Sequence, residues 1–381
     1  SRQFSELDAG TSDKFNSLGR TIMEREKLFS LNVLEKPATK RASRLAGNID
    51  FETIRRMGYN ENPYGMPESV LEAMKEAEKK AYFYPNFAGS GLKKALADMY
   101  DVEEDNIAVG AGSSALISIV GQAFLNVDDE VILCPTFAAF NDMIEMARAK
   151  TITVPLTEDK GYDLDGILEK VNDKTKMVVI TNPNNPTGQY LSYDAIESFV
   201  QKLDKDVVVL IDEAYIELAT APDCKTMLPL IKKYPDHPIL VMRTFSKYYA
   251  MAGVRVGYLI AQKELIDGIN VVPGSSVARG AQAAAVQALK EQEYYSAQKE
   301  KVVAGARYIE EELRKLGCEV YPTQTNFILF EPHMDYDEVR DQLIEKGIHI
   351  STPMMDRVSV STQENNEYFI QCMKEILEGS K

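Results

Sequence analysis

Lys247 stands where a lysine is seldom found. The apolar run Ile239, Leu240, Val241, Met242 gives way to Thr244 and Ser246, the lysine follows at once, and Arg255 comes eight residues later in the Gly-flanked segment AGVRVG. Lysine is costly to bury and normally occupies a solvated face, yet the neighbours of this one are Phe245, Tyr248, Tyr249 and Met251. Desolvation favours the neutral amine, which can attack a carbonyl and form a Schiff base. The hydroxyls of Thr244 and Ser246, with the fixed cation of Arg255, suit a phosphate monoester. Aldehyde and phosphate together describe pyridoxal 5'-phosphate. The rival reading is a strand end with a solvated lysine and an arginine in a structural ion pair, and this stretch alone does not separate the two.

Other segments offer the remaining groups. NPNNPTG (182–188) is a turn rich in Asn, Pro and Gly after an apolar run, and Asn185 is a candidate donor to a ligand oxygen; good turn chemistry alone would also explain it. DEAY (212–215) closes the next run. Asp212 could cap the following turn; in a cofactor cleft its carboxylate would keep a pyridine nitrogen protonated, and Tyr215 would donate to the ring's phenolic oxygen beside Asn185. GAGSSA (110–115) sits between a strand and a helix and fits the dinucleotide fingerprint GxGxxA. That fingerprint also wants an acid at the end of the next strand, which here ends in CPTF. The segment therefore reads as a phosphate cradle at a helix N-terminus, with Ser113 and Ser114.

These residues need a scaffold that gathers them. From about 106 to 261, β-rich runs alternate with helical stretches: NIAVG (106–110), EVILCP (130–135), TITVPL (151–156), MVVITNP (177–183), VVVLID (207–212), ILVMRTF (239–245) and VGYLIA (256–261). Most are continuously apolar, as expected of strands buried on both faces of a largely parallel sheet. Ligands bind outside the carboxyl ends of such strands, which collects Gly110–Ser114, Pro135–Phe137, Asn182–Gly188, Asp212–Tyr215 and Thr244–Lys247 in one cleft. Helices are expected around Asn16–Phe29 and Pro67–Lys80, again after Gly89, and over SSALISIVGQAFL (113–125) and YDAIESFVQKL (193–203). One long helix is expected over about 281–317. Short strands (CEVYP, NFILFEP, HISTP, RVSVST) and two helices then read as a smaller α+β domain. The expected division is an N-terminal arm with part of the small domain (1–65), a large α/β domain (66–275) and the C-terminal small domain (276–381).

At 381 residues the chain exceeds one typical core. Its net charge of −15 argues against nucleic acid or an anionic membrane as partner. Cys134, Cys224, Cys318 and Cys372 are far apart, and with only three histidines a metal cluster is not expected. Such sparse cysteines fit a reducing compartment, and the cytoplasm is the expected location. No run of about 18 apolar residues is present, so no transmembrane helix is expected. The chain begins at Ser1 without Met or an apolar leader; a trimmed leader and a cloning boundary both account for that.

NENPYG (60–65), the FYP loop (83–85), PTF (135–137), NPNNPTG, DEAYIE (212–217), TFSK (244–247) with AGVRVG, PTQTNF (322–327) and RVSVST (357–362) occur in the order found in the class I/II aminotransferases. From about residue 40 onward the chain resembles their histidinol-phosphate aminotransferase branch in particular. The resemblance implies a fold-type I pyridoxal-phosphate transferase, with a large α/β domain built on a mostly parallel sheet and a smaller α+β domain, working as a homodimer. It implies that Lys247 forms the Schiff base and moves the proton, that Asp212 pairs with the ring nitrogen, and that Asn185 and Tyr215 bind the ring oxygen. Thr244, Ser246, Arg255, Ser113 and Ser114 would hold the phosphate, Phe137 would stack on the ring, and Tyr84 would reach the phosphate of the neighbouring subunit. Arg357 would hold the substrate carboxylate, and Tyr64 would line the entrance.

Three positions depart from that branch. Phe137 stands where tyrosine is common, GSSA (112–115) stands for GSDE, and HISTPMMDR (349–357) lacks the second arginine that recognises a substrate phosphate. A substrate without a distal phosphate is therefore expected, with the methionines and Phe137 suiting an apolar or aromatic side chain. The implied reaction is ping-pong transamination between an amino acid and a 2-oxo acid. The alternatives are histidinol-phosphate transamination proper and a decarboxylase resembling the threonine-phosphate decarboxylases. Retention of Lys247, Asp212, Asn185 and Arg255 together speaks against a non-catalytic binding domain.

Overall fold

Every one of the seven β-rich runs enters a single sheet. In the computed structural model, residues 50, 52–274, 276–350 and 356–379 are described. The first strand, β1 (Arg55–Met57), lies outside that sheet. The sheet itself contains β2 (Ile107–Gly110), β3 (Glu130–Leu133), β4 (Lys150–Thr153), β5 (Thr175–Thr181), β6 (Val208–Asp212), β7 (Ile239–Thr244) and β8 (Gly257–Ala261), in the order β2-β8-β7-β6-β5-β3-β4. β8 is antiparallel to both neighbours, and the pairings from β7 through to β4 are parallel. All residues of β6, β7 and β8 are buried, whereas the edge strand β4 is largely exposed and carries a Lys and two Thr. Continuous burial of the central strands is why their sequences are apolar on both faces.

The alternation of side chains splits the core into two layers. Val209, Ile211, Val241, Tyr258 and Ile260 point to one side of the sheet. Leu210, Leu240, Met242 and Leu259 point to the other, against Leu116, Ile117 and Val120. The helices between the strands are α1 (Glu68–Glu78), α2 (Ser90–Tyr100), α3 (Ser113–Phe124), α4 (Ala139–Met146), α5 (Leu164–Lys170), α6 (Tyr193–Lys202), α7 (Leu228–Lys233) and α8 (Lys263–Val271). Those expected near 67–80, 113–125 and 193–203 are all present; the one expected around 16–29 lies outside the described residues.

The expected helix over 281–317 is in fact two, α9 (Arg279–Ala288) and α10 (Gln292–Lys315). No Pro or Gly marks the break. It follows from packing: α9 lies along α1, and the Glu291 carboxylate at the junction accepts from Ser69 Oγ of α1 and from Gln287 Nε2, 2.8 Å away. Beyond α10 come β9 (Glu319–Val320), β10 (Phe327–Glu331), α11 (Tyr336–Glu345), β11 (Ile348–Ile350), β12 (Arg357–Ser359) and α12 (Gln363–Gly379). β10 pairs antiparallel with both β12 and β9, and β1 pairs parallel with β11. Strand β1, in a polar stretch, has no signal in the sequence.

Candidate active site

The register of β8 assembles the anion cradle. Gly257, at its start, pairs with Gly110 at the end of β2 and with Thr244 at the end of β7. Arg255, just before it, is thereby delivered to the edge that holds the N-terminus of α3. The fit leaves no room: a Cβ on Gly257 would lie 2.5 Å from the Ser113 amide nitrogen, and one on Gly112 would lie 2.3 Å from the Arg255 guanidinium. Arg255 itself has a φ of +63°. Its Nη1 donates to Ser246 Oγ at 3.4 Å and to the Ala252 carbonyl at 2.9 Å. Thr244 Oγ1 donates to Ser246 Oγ at 2.9 Å and accepts the Ser246 N–H at 3.1 Å. A guanidinium, two hydroxyls and the N-terminus of α3 thus lie close together, and such a set suits a phosphate.

Lys247 follows at the end of β7. Its Nζ donates to the Tyr59 carbonyl at 3.0 Å and lies 5.8 Å from the centre of the Tyr215 ring. Burial pushes its amine down to about 8, and the charge of Arg357 acts in the same direction. Asp212, the last residue of β6, is in register with Thr181 of β5 and Met242 of β7. It accepts the Ala214 N–H at 3.0 Å, and burial raises its carboxyl to about 7. Tyr215 is buried and its hydroxyl is pushed up to about 12. Arg357, which opens β12, places its guanidinium 5.6 Å from the Phe327 ring. Its Nε is buried and has no hydrogen-bond partner among the described residues, and burial lowers its pKa. Lys247, Asp212, Tyr215, Arg357 and Arg255 act on one another through their fields, so these five form one cluster.

Asn185 and Phe137 lie on the loops after β5 and β3, and β5 is the neighbour of β6 in the sheet. Thr136 Oγ1 bonds Thr181 Oγ1 (2.7 Å), Asn184 Oδ1 (2.8 Å) and the Asn185 carbonyl (3.4 Å), tying the loop after β5 to the loop after β3. Phe137 meets Phe140 edge to face. Tyr64 is partly buried beneath Lys301, whose Nζ is 5.2 Å from the ring centre. Ser113 is half-buried and Ser114 exposed on the first turn of α3. Tyr84 stands apart, 82% exposed, with its carbonyl accepting from Arg279.

Two groups at the cluster have no assignment from sequence reasoning. The Tyr59 carbonyl meets the lysine, and Asn60, in NENPYG, donates from Nδ2 to the Tyr215 hydroxyl at 3.0 Å. The motif itself is the signal for Asn60; a carbonyl leaves none. The segment 351–355, which carries Met354 and Met355, lies outside the described residues. Among the described residues no group of three or more His, Cys, Asp and Glu side chains is placed to hold a metal ion, and no helix is long and apolar enough to cross a membrane.

Comparison with known proteins agrees with this chemistry. The family model described as "Aminotransferase class I and II" matches residues 53–372. The histidinol-phosphate aminotransferase of Halalkalibacterium halodurans is 34% identical over 339 residues, covering 86% of this chain and 90% of the relative. That of Staphylococcus carnosus is 34% identical over 354 residues, 92% of this chain and 98% of the relative. A crystal structure of the Sinorhizobium meliloti histidinol-phosphate aminotransferase in complex with pyridoxal-5'-phosphate superposes with a TM-score of 0.85 at 25% identity, covering 93% of this chain and 98% of that one. The decarboxylase alternative gains nothing from these relatives.

Proposed function

Because the chain belongs to the class I and II aminotransferases, we propose that it moves an amino group between an amino acid and a 2-oxo acid at the cluster around Lys247. When bound, pyridoxal phosphate supplies an aldehyde that links to amines and a ring that accepts the electrons released as the α-proton leaves. The residues fit that group. Lys247, with its amine at about 8, is the attachment point and afterwards the carrier of the proton at the substrate α-carbon. Asp212 holds the proton on the ring nitrogen, and Tyr215 and Asn185 donate to the ring oxygen. Thr244, Ser246, Arg255, Ser113 and Ser114 hold the phosphate. Phe137 covers the ring face, and Tyr64 lines the entrance. The enzyme acts in the cytoplasm as a homodimer, in which Tyr84 reaches the phosphate bound by the other subunit.

The observation that carries this reading is Arg357. It is half-buried, and its Nε is enclosed with no hydrogen-bond partner among the described residues; a carboxylate would supply that partner through a charge-assisted bond. Arg357 lies near the lysine that the donor's amine would displace from the cofactor, where the donor's carboxylate would meet it. The expected donor lacks a distal phosphate, since HISTPMMDR has no arginine before Arg357.

The test mixes the cofactor-loaded protein with a panel of amino acids and, as the contrasting arm, histidinol phosphate, following the cofactor absorbance. Conversion of the cofactor to its amine form by an amino acid, abolished in Lys247→Ala, is the expected outcome. Conversion by histidinol phosphate alone would move the substrate to the phosphate-bearing class, and no conversion by any donor would refute the function.

A further inference from the structure

Asn60 is buried, with 2% of its surface exposed, and holds a φ of +55°, a left-handed conformation that Asn tolerates better than most residues. Its hydrogen bonds determine which way its amide faces. The Asn60 N–H can only donate, and it donates to Ser359 Oγ at 2.8 Å. The Ser359 hydroxyl keeps its own proton for another acceptor, and Asn60 Oδ1 lies 2.9 Å away. In the structure the amide oxygen is turned to Ser359, accepting from its hydroxyl, and the amide NH2 is turned to Tyr215, whose hydroxyl oxygen lies 3.0 Å from Nδ2. A donor on that side makes the Tyr215 oxygen an acceptor, and its proton must leave in another direction. The backbone is braced as well: Asn326 Nδ2 donates to the Asn60 carbonyl at 3.0 Å, and Phe327, the next residue, pairs with Ser359 across β10 and β12.

We propose that Asn60 is a positioning residue that directs the Tyr215 hydroxyl proton into the cleft, and that Ser359 decides which way Asn60 faces. The inference rests on the reading of Tyr215 as the donor to the cofactor's ring oxygen. It joins two parts of the site. Ser359 is two residues from Arg357 on the same strand, so the strand that receives the substrate carboxylate also orients the group that serves the ring. Position 60 is then chemically exacting: an isosteric carboxylate would accept the Tyr215 proton and withdraw it from the ring oxygen, although Asp suits the same backbone conformation.

In the cofactor-loaded protein, donation from Tyr215 to the ring oxygen would disperse negative charge there and so lower the affinity of the neighbouring nitrogen for its proton. Losing the donation therefore raises the pH at which the bound cofactor changes colour. The experiment titrates the cofactor absorbance of the loaded wild type, Tyr215→Phe, Asn60→Asp, Ser359→Ala and the Asn60→Asp/Tyr215→Phe pair. Tyr215→Phe should raise the midpoint by about 1 pH unit, the size of one hydrogen bond to a charged acceptor. Asn60→Asp should raise it similarly and Ser359→Ala by less. In the Tyr215→Phe background Asn60→Asp should add nothing, which separates proton aiming from the field of a new carboxylate. A Tyr215→Phe midpoint equal to wild type would remove the premise, and the proposal with it. A normal Tyr215→Phe shift with no shift in Asn60→Asp, or with an equal Asn60→Asp shift in both backgrounds, would overturn the proposal while leaving the role of Tyr215 intact. If Asn60→Asp fails to fold, Ser359→Ala decides: an unchanged midpoint there overturns the proposal.

Discussion

The lysine at the centre of the site is held ready by its surroundings. Its ordinary pKa of 10.5 falls to about 8 through burial first and the Arg357 charge next, against the opposing fields of Glu61 and Asp212. An unfolded chain keeps that proton up to about 10.5, so folding releases it between the two values, and this group's contribution to stability rises with pH across that window. The same shift governs chemistry. Near pH 7.5 roughly a quarter of the amine is neutral, ~200-fold more than for an unperturbed lysine. The rate at which cofactor-free protein captures pyridoxal phosphate should therefore climb with pH and level off above about 8. Replacing Arg357 by Met removes a nearby positive charge, so the inflection should move to higher pH. Stopped-flow absorbance across the range checks both, and an inflection that stays put in the variant would show that Arg357 does not act on the amine. Lys247 and Asp212 were legible in the sequence because each charge stands oddly at the end of an apolar run, and Arg255 because a fixed cation follows the lysine by eight residues in a Gly-flanked segment. The motif NENPYG marks Asn60, but its role was not legible, since its partners Tyr215 and Ser359 stand 155 and 299 residues away.

Strand ends carry the site, and a buried charge network fixes their mutual position. The ladder between β6 and β7 continues one step, the Glu213 N–H donating to the Met242 carbonyl at 2.8 Å, and this sets Glu213 beside Arg243. The Arg243 guanidinium clasps Glu213 Oε2 through Nε and Nη2 at 3.0 and 2.8 Å, and its Nη1 reaches Glu217 at 3.2 Å and the Tyr100 hydroxyl at 3.0 Å. Arg243 and Glu213 are nearly or wholly inaccessible, and they directly adjoin Thr244 and Asp212. Removing one partner strands a buried charge. Arg243→Ala should cost ~3–5 kcal/mol of stability and weaken cofactor retention, while Arg243→Met with Glu213→Gln should cost clearly less than the two single changes added. Denaturant melts of the cofactor-free proteins measure this, and strict additivity would show that the pair is not coupled. The seven strands were readable because burial on both faces leaves a continuous apolar signature. Strand β1 and the break between α9 and α10 were not, because each is imposed by a partner distant in the chain: β11 in one case, α1 in the other.

At the scale of the molecule, one surface stands out against a net charge of −15, which opposes self-association. Tyr82, Phe83, Tyr84 and Phe87 are 77%, 60%, 82% and 68% exposed and lie within six residues of one another. Single exposed aromatics are ordinary, but a cluster of them marks a contact surface. The loop is also anchored: Arg279 donates to the Tyr84 carbonyl, and Gln282 Nε2 to the Asn86 carbonyl at 2.9 Å. The rings pair as Tyr82 with Phe83 and Tyr84 with Phe87, at 4.4 and 5.6 Å between centres. A fixed backbone that presents exposed rings suits a second copy of the chain better than solvent, and the proposed homodimer places Tyr84 at the other subunit's phosphate. Two variants separate assembly from cofactor binding. Phe83→Asp with Phe87→Asp buries charge in the proposed contact and should give a monomer by sedimentation velocity, with faster cofactor loss. Tyr84→Phe keeps the ring and removes only the hydroxyl, so it should remain dimeric while losing cofactor affinity by ~10-fold, as one hydrogen bond to a charged group would predict. An unchanged sedimentation coefficient in the double variant would take the aromatic loop out of the interface. Wild-type affinity in Tyr84→Phe would confine the loop to assembly and leave the phosphate to Arg255, Ser246, Thr244 and α3 of a single subunit.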